Sequence, residues 1–241
     1  MKALIIAAGQ GSRLKELTNH KPKPLIQLLG RSLIERVILN IKQAGINEFV
    51  IVIGYLGDKI KAKLRDGKKY GVKIQYVENK EWDKENGISV LKAKEALKNE
   101  NFILTMSDHV FEPRMVKELL KLGADIKNEC ILCVDKSLSK NYIDLDDATK
   151  VRVDNGYILD IGKGLKEYNA IDCGVFLCTP IIFKALEKSI KNGNATLSGG
   201  IAVLAKERRM KAFDIKNIFW MDIDTPEDLK NAEFMLKEKS L

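Results

Sequence analysis

Short apolar runs of strand length alternate with helix-length amphipathic segments through the first half of the chain. The predicted strands are KALIIAA, EFVIVIG, VKIQYV and NFILTMSD. EFVIVIG is apolar at nearly every position, which is typical of a strand buried on both faces of a parallel sheet. The predicted helices between the strands are SLIERVILNIKQAG and segments near 57–66 and 88–98. This alternation predicts a doubly wound α/β sheet.

Local signals place several element boundaries. Ser32 and Glu35 form a capping box at the start of the first predicted helix, and Gly45 suits its C-terminal end. In the second half, Asp154-Asn155-Gly156 lies between two short predicted strands, which is a strong hairpin signal. A last helix is expected from Pro226. We therefore expect the α/β sheet to carry an added β-hairpin layer.

Length and composition bound the number of domains and the environment. At 241 residues the chain could form one large α/β domain or two small ones. No linker rich in Pro, Gly or Ser divides it, so we expect one domain over 1–241. The chain has 45% hydrophobic and 31% charged residues and no apolar stretch of bilayer length. Met1-Lys2 leads directly into a strand-like run, so we expect a soluble, cytoplasmic segment without membrane contact.

The net charge of +8 raises nucleic acid as a partner. However, many lysines stand beside glutamates, as in KAKEALKNE and FMLKEKS, which favours a solvated face and also fits a heat-adapted protein. An RNA-binding module would need clustered Lys and Arg with interleaved aromatic residues, and the aromatic residues here are scattered. We therefore expect no nucleic-acid partner, and the same positive field would favour an anionic small substrate.

The turn AAGQGSR after the first predicted strand contains Gly9 and Gly11. Ligands of open parallel sheets bind outside the carboxyl ends of the strands, where this turn lies. Glycines, which lack a Cβ, let backbone N–H groups turn toward a phosphate. The turn lacks the GK[ST] of a Walker loop, and Leu14 stands where the dinucleotide pattern has its third glycine. An ordinary tight turn is therefore the alternative.

Two cations follow this turn. Arg13 comes two residues after Gly11, and KPKPL holds Lys23 between two prolines that restrict its backbone. An arginine and a lysine flanking a phosphate-sized loop suit a triphosphate. In that arrangement Arg13 makes forked contacts with phosphate oxygens and Lys23 acts as a point charge.

Three aspartates are candidate metal ligands. Asp108 ends a predicted buried strand at the same edge of the sheet, where an unpaired carboxylate is costly. Its predicted partners are Asp222 and Asp224 in WMDIDTPEDL. Carboxylate oxygens without Cys or His ligands suit Mg²⁺. The alternative for Asp222 and Asp224 is capping of the following helix, which Thr225 could provide alone.

The cysteines and histidines do not predict a metal site. Cys130 and Cys133 form a CxxC, but ECILCVD is a predicted buried strand, in which positions three apart point to opposite faces. No second CxxC or histidine pair completes a zinc site, since His20 and His109 each lack a second histidine nearby. We expect structural thiols.

Together these motifs resemble those of the sugar-phosphate and alcohol-phosphate nucleotidyltransferases. The similarity rests on IAAGQGSR, PKPL, the strand-ending SD and IDTPEDL, in this order, and covers nearly the whole chain. EWDKENGIS resembles the Asn-rich stretch that phosphocholine-type cytidylyltransferases place beside the base, although Gly87 stands where those enzymes tend to have a second Asn. The chain is most similar to archaeal-type CTP:inositol-1-phosphate cytidylyltransferases, in which this domain is free or fused to a membrane-embedded synthase.

The resemblance implies a Rossmann-like, mostly parallel sheet flanked by helices, a bound Mg²⁺, CTP and an alcohol phosphate as substrates, and release of pyrophosphate. It also implies that Lys163 reaches the acceptor's phosphate. The residues expected at the nucleotide are Ala7, Ala8, Gly9, Gly11, Ser12, Glu78, Asn79 and Asn86.

The acceptor is expected to be inositol 1-phosphate. A quaternary ammonium would need aromatic faces, and GKGLKEYNAIDCG holds one aromatic residue, Tyr168. A ring of hydroxyls needs hydrogen-bonding partners, for which we expect Glu167, Asn169 and Asp172. A cytidylyltransferase for another alcohol phosphate and a non-catalytic nucleotide sensor are the alternatives.

Overall fold

The computed structural model describes residues 1–18, 20–138 and 143–239. The strands in these ranges are β1 (Lys2–Ala7), β2 (Gln27–Leu28), β3 (Arg31–Ser32), β4 (Glu48–Ile53), β5 (Lys73–Glu78), β6 (Phe102–Met106), β7 (His109–Phe111), β8 (Cys130–Asp135), β9 (Lys150–Asp154), β10 (Tyr157–Gly162), β11 (Ala170–Cys178), β12 (Met210–Asp214) and β13 (Trp220–Asp222). The α-helices are α1 (Leu33–Gln43), α2 (Gly57–Leu64), α3 (Asn86–Lys92), α4 (Lys94–Leu97), α5 (Pro113–Leu122), α6 (Ile181–Lys191), α7 (Leu197–Lys206) and α8 (Pro226–Glu238). Short 3-10 helices cover Ser12–Thr18, Lys23–Leu25 and Lys68–Tyr70.

Nine of these strands form one mixed sheet in the order β5-β4-β1-β6-β11-β8-β12-β10-β9. The strands predicted from the first half of the chain are parallel, with Ile5 of β1 opposite Ile51 of β4 on one side and Thr105 of β6 on the other. Beyond β6 the sheet turns antiparallel at β11 and β8, and β12 then pairs parallel with β8. The predicted α/β architecture is confirmed, but its nine-stranded sheet is mixed rather than mostly parallel, because β11, β10 and β9 pair antiparallel with their neighbours.

The central strands are buried on both faces, as their unbroken apolar sequence predicts. Ala3, Ile5 and Ala7 of β1 pack in the cluster that contains the buried face of α1, whereas Leu4 and Ile6 pack in the cluster that contains α6 and α7. The predicted cysteine strand behaves in the same way, since Cys133 belongs to the first cluster and Cys130 to the second. All four cysteines are buried.

The helix signals are confirmed at α1, whereas the helix predicted near 88–98 is interrupted. Ser32 and Glu35 make both hydrogen bonds of the capping box, and Gly45 adopts a φ of 101° just after the helix. The helix expected near 88–98 is divided into α3 and α4 at Ala93. There the backbone N–H groups of Ala93 and Ala96 donate three residues back, to Val90 and Ala93, which tightens the helix and interrupts it.

The predicted hairpin forms between β9 and β10. Asn155 and Gly156 both have positive φ, of 47° and 79°, which is the conformation that a two-residue hairpin turn favours. β9 also pairs with β11 and β10 with β12, so the hairpin joins the far end of the large sheet. No helix within the described ranges combines the length and apolarity needed to cross a bilayer.

Candidate active site

A small second sheet brings the three predicted aspartates together. β6 ends just before Asp108, and the following β7 pairs antiparallel with β13, which places His109 opposite Asp222. The backbone N–H of Ile223 then donates to the carbonyl of Asp108 at 3.1 Å. Residues more than 100 positions apart thus meet at the carboxyl end of the parallel strands, where α/β sheets bind ligands.

Asp222 and Asp224 do not cap α8. Thr225 performs that function, because its hydroxyl accepts from the Asp228 N–H at 3.2 Å while the Asp228 carboxylate accepts from the Thr225 N–H at 2.7 Å. The Asp224 carboxylate is instead bound by two cations, with Lys23 Nζ 2.6 Å from Oδ1 and Arg13 Nη2 2.8 Å from Oδ2. The capping alternative is therefore wrong for both aspartates.

Lys23 is the most buried cation of the site. Its side chain is 8% exposed, and Nζ contacts Asp108 Oδ2 and Asp224 Oδ1 at 2.6 Å each. Burial opposes the charged form, but the two carboxylates outweigh it and raise the pKa of Lys23 above its ordinary value. The lysine predicted at the triphosphate thus contacts the carboxylates predicted at the metal.

Arg13 and Lys163 share a partner that the sequence did not indicate. Asp147 contacts Arg13 with one carboxylate oxygen and Lys163 with the other, and the hydrogen bond from Lys163 contributes most to lowering the pKa of Asp147. Arg13 thereby connects Asp147 to Asp224. In DLDDATK nothing distinguishes this aspartate from its acidic neighbours.

His109 positions Asp108 from the side opposite Lys23. Its Nδ1 lies 2.9 Å from Asp108 Oδ1, and its ring packs so closely on Gly174 that a Cβ there would lie 2.0 Å from Nε2. Burial opposes ionisation of Asp108, yet Lys23 and His109 hold the pKa of Asp108 well below its usual range. In the same way, Asp108 outweighs burial and raises the pKa of His109. His109 directly follows Asp108, which is the signal that could have revealed it.

The environments of Asp172 and Asp222 disfavour the ionised carboxylate. Burial raises the pKa of Asp172 to about 6, although the backbone N–H of Gly174 donates to it at 2.7 Å. Burial also raises the pKa of Asp222, and the neighbouring charges of Asp224 and Asp108 add to that effect. The site therefore carries negative charge that its own cations compensate only in part.

Two cavities meet at this cluster. The smaller, of about 320 Å³, is lined by the glycine turn and Lys23, together with Trp82 and Lys84. The larger, of about 530 Å³, is lined by Lys163 and the acidic groups around His109. The residues common to both are Arg13, Asn86, Met106, Asp108 and Asp224. The ion pairs of Arg13, Asp108 and Asp224 therefore lie where the two cavities adjoin.

The two glycines of the turn have different surroundings. Gly11 has a φ of 68°, and a Cβ built on it would lie 2.6 Å from Lys23 Cβ, so this glycine makes room for the lysine side chain. A Cβ on Gly9 would meet no atom within 4 Å, and Gly9 lines the smaller cavity. The open approach expected for a phosphate is therefore at Gly9.

The other residues expected at the nucleotide divide into two groups. Ala7, Ser12 and Asn86 line the smaller cavity, where Asn86 also accepts a hydrogen bond from the Leu197 N–H at 2.8 Å. The remaining ones, Ala8, Glu78 and Asn79, lie outside it. The Ala8 carbonyl accepts from Tyr55 N–H, Glu78 is exposed, and the buried Asn79 amide donates to Ser89 at 2.9 Å and accepts from Glu81 N–H.

Of the residues expected at the acceptor, Asp172 and Lys163 line the larger cavity. Glu167 is exposed and lies outside it. The Asn169 amide binds the backbone of Val153, accepting from its N–H and donating to its carbonyl at 2.8 Å each. Trp82, a residue of EWDKENGIS that was not among the predicted site residues, lines the smaller cavity and packs on Tyr55 with ring centroids 5.2 Å apart.

Comparison with known proteins agrees with this architecture. Residues 2–239 match the nucleotidyl transferase family. The bifunctional IPC transferase and DIPP synthase of Aquifex aeolicus is 35% identical over 99% of this chain and 52% of its own length. The chain thus spans about half the length of that relative.

Two further relatives match over nearly their full length. The CTP:phosphoglutamine cytidylyltransferase of Campylobacter jejuni is 30% identical over 95% of this chain and 98% of its own. The solved inositol-1-phosphate CTP transferase of T. maritima is 30% identical, with a TM-score of 0.82 over 99% of this chain and 96% of that chain. Sequence, fold and site together place this chain in the nucleotidyl transferase family.

Proposed function

We propose that this chain joins CTP to inositol 1-phosphate, giving CDP-inositol and pyrophosphate. The observation that carries the proposal is the pair of cavities that meet at Arg13, Asp108 and Asp224, since a transfer between two anionic substrates needs two sites and cations at their junction. The similarity to the inositol-1-phosphate CTP transferase of T. maritima supports these substrates. We assign this reaction to residues 1–241 as one domain, because the nine-stranded sheet includes strands from β1 to β12.

The reaction is an in-line attack of the acceptor phosphate on the α-phosphorus of CTP. A phosphate monoester is already anionic at neutral pH, so no residue has to remove a proton from it. Catalysis then consists of positioning and neutralising charge. Arg13 and Lys23 hold the charge that builds on the departing pyrophosphate, and Lys163 holds the acceptor phosphate. Losing one such contact costs on the order of 10²–10³ in rate.

The aspartates fit a divalent metal. Asp108 and Asp224 offer hard carboxylate oxygens at the junction, and Asp222 carries charge that a cation would stabilise. No group of three or more His, Cys, Asp or Glu side chains in the described part of the chain is arranged as a complete metal site. Asp108 and Asp224 would hold Mg²⁺, with Asp222 beside them. When bound, Mg²⁺ would neutralise charge on the phosphates.

The larger cavity suits a polyol. Asp172, which lines it, can hydrogen-bond hydroxyl groups, although Phe176 and Trp220 also line this cavity and offer the aromatic faces that a quaternary ammonium would need. A site that pairs with hydroxyls discriminates strongly, because an analogue without one leaves buried polar groups unpaired. The C. jejuni relative, named for phosphoglutamine, makes another acceptor phosphate the second candidate.

An assay of pyrophosphate release tests this proposal. The protein with Mg²⁺ and CTP is incubated with inositol 1-phosphate, choline phosphate, glycerol 3-phosphate or glutamine phosphate, and each acceptor is repeated with UTP. We expect the highest kcat/KM for CTP with inositol 1-phosphate. A better rate with another acceptor would overturn the acceptor assignment, preference for UTP would overturn the base, and no pyrophosphate with any pair would favour a non-catalytic module.

A further inference from the structure

One ammonium group lies against both of the carboxylates that we assign to the metal. Lys23 Nζ is 2.6 Å from Asp108 Oδ2 and 2.6 Å from Asp224 Oδ1, and the three side chains are 8%, 22% and 20% exposed. At these distances the ammonium and a metal ion shared by the same oxygens would compete for the same space. Like charges in contact in such a poorly hydrated place repel strongly.

We infer that Lys23 is an internal counter-ion that makes divalent-metal binding depend on the nucleotide. This inference rests on the proposed function, because it takes a nucleoside triphosphate as the ligand that moves the lysine. Without nucleotide, Lys23 neutralises Asp108 and Asp224 and excludes a divalent cation. The triphosphate offers the ammonium a second set of anionic oxygens, and the two carboxylates then become available to the metal.

The position of Lys23 allows this exchange. Its stem packs against Gly11, where a Cβ would lie 2.6 Å from Lys23 Cβ, so the side chain runs along the turn that we assign to the phosphates. Lys23 lines the nucleotide cavity together with Gly9, Asp108 and Asp224. Pro22 and Pro24 restrict the backbone on both sides, while the four-carbon stem keeps its rotatable bonds. A small rotation of the stem can therefore redirect the ammonium without moving the fold.

The charge balance of the cluster explains why the lysine is needed when no nucleotide is bound. If Lys23 were absent, the described residues would offer Arg13 and His109 as the neighbouring cations of Asp108, Asp222 and Asp224. An unpaired buried carboxylate is destabilising, so a cation at this position stabilises the fold. Removing the ammonium should thus create a site that attracts a divalent ion without any nucleotide.

Binding of Mn²⁺ tests the inference without catalysis. Free Mn²⁺ is measured by electron paramagnetic resonance in the wild type and in Lys23→Met, with and without CTP, and a CTP-only sample is subtracted. Without CTP we expect Lys23→Met to bind Mn²⁺ at least about tenfold more tightly than the wild type, as like-charge repulsion at contact distance implies. Lys98→Met, which removes an exposed lysine that lines neither cavity, should behave as the wild type.

If Lys23→Met does not fold, Mn²⁺ binding by the wild type with and without CTP still tests the inference. Proton relaxation enhancement should show protein-bound Mn²⁺ only when CTP is present, and Lys23→Arg, which keeps the charge, should behave in the same way. Equal Mn²⁺ affinity of the wild type with and without CTP, or of folded Lys23→Met and wild type without CTP, would overturn the inference. Failure of the proposed function can be distinguished from failure of this inference. The first would abolish pyrophosphate release and leave the Mn²⁺ binding results unchanged.

Discussion

Replacing Asp172 by asparagine should stabilise the folded protein near neutral pH and leave its stability almost unchanged in acid. Asp172 lies in β11 at the wall of the larger cavity. Burial raises the pKa of Asp172 to about 6 and Asp222 adds to the rise, although Gly174 N–H and His109 oppose it. Asparagine keeps the shape and the oxygen that accepts from Gly174 but carries no charge.

The pKa values give the sign and the magnitude. Below the unfolded value of 3.8 both states of Asp172 are protonated, so ionisation has no effect on stability. Between pH 3.8 and about 6 the unfolded chain loses the proton while the folded protein keeps it, so the free energy of unfolding falls. Above pH 6 the loss in the free energy of unfolding reaches at most about 3 kcal/mol, which is the free-energy equivalent of the difference between the two pKa values. Asparagine avoids this loss.

Urea unfolding at about pH 3.5, 5 and 7.5 gives the free energy of unfolding of the wild type and of Asp172→Asn. The difference between the two should increase with pH. Asp125→Asn, which removes a carboxylate from an exposed position, is the matched control and should show no such trend. A difference that is equal at all three pH values, or a wild type that is the more stable at neutral pH, would refute the reasoning.

Three substitutions test the site further. Asp224→Ala should lower kcat by on the order of 10²–10³, because Asp224 contacts both Lys23 and Arg13; wild-type turnover in a folded variant would contradict the site. Lys163→Ala should raise the acceptor KM with little change in the KM for CTP, and the reverse pattern would place Lys163 at the nucleotide. Asn169→Ala should lower the free energy of unfolding by about 1–3 kcal/mol without changing the acceptor KM; a raised acceptor KM at unchanged stability would instead place Asn169 at the substrate.

The parts of the fold that the sequence predicted depend on local interactions. The capping box of α1 involves residues three positions apart, and the turn at Asn155-Gly156 depends on residues that tolerate positive φ. The apolar strand runs are likewise local, and their burial on both sheet faces follows from their composition. The division between α3 and α4 was missed because the residues around Ala93 carry no breaking signal.

The contacts inside the site depend on long-range packing, which motif spacing does not specify. Lys23 is separated by 85 residues from Asp108 and by 201 from Asp224, so their ion pairs follow from the sheet topology. Asn79 and Asn169 look like ligands in the sequence because an amide suits a hydroxyl or a base equally well. In the fold their amides bind neighbouring protein groups, and only the structure shows that these hydrogen bonds are already made.

The most direct measurement of the central claim follows the oxygen atoms of the acceptor. Inositol 1-phosphate labelled with ¹⁸O at its non-bridging phosphate oxygens is incubated with CTP, Mg²⁺ and the protein, and the masses of the products are determined by mass spectrometry. Attack of the acceptor phosphate on the α-phosphorus predicts CDP-inositol that carries all of the label and unlabelled pyrophosphate. Labelled pyrophosphate, or turnover of CTP without CDP-inositol, would contradict the account.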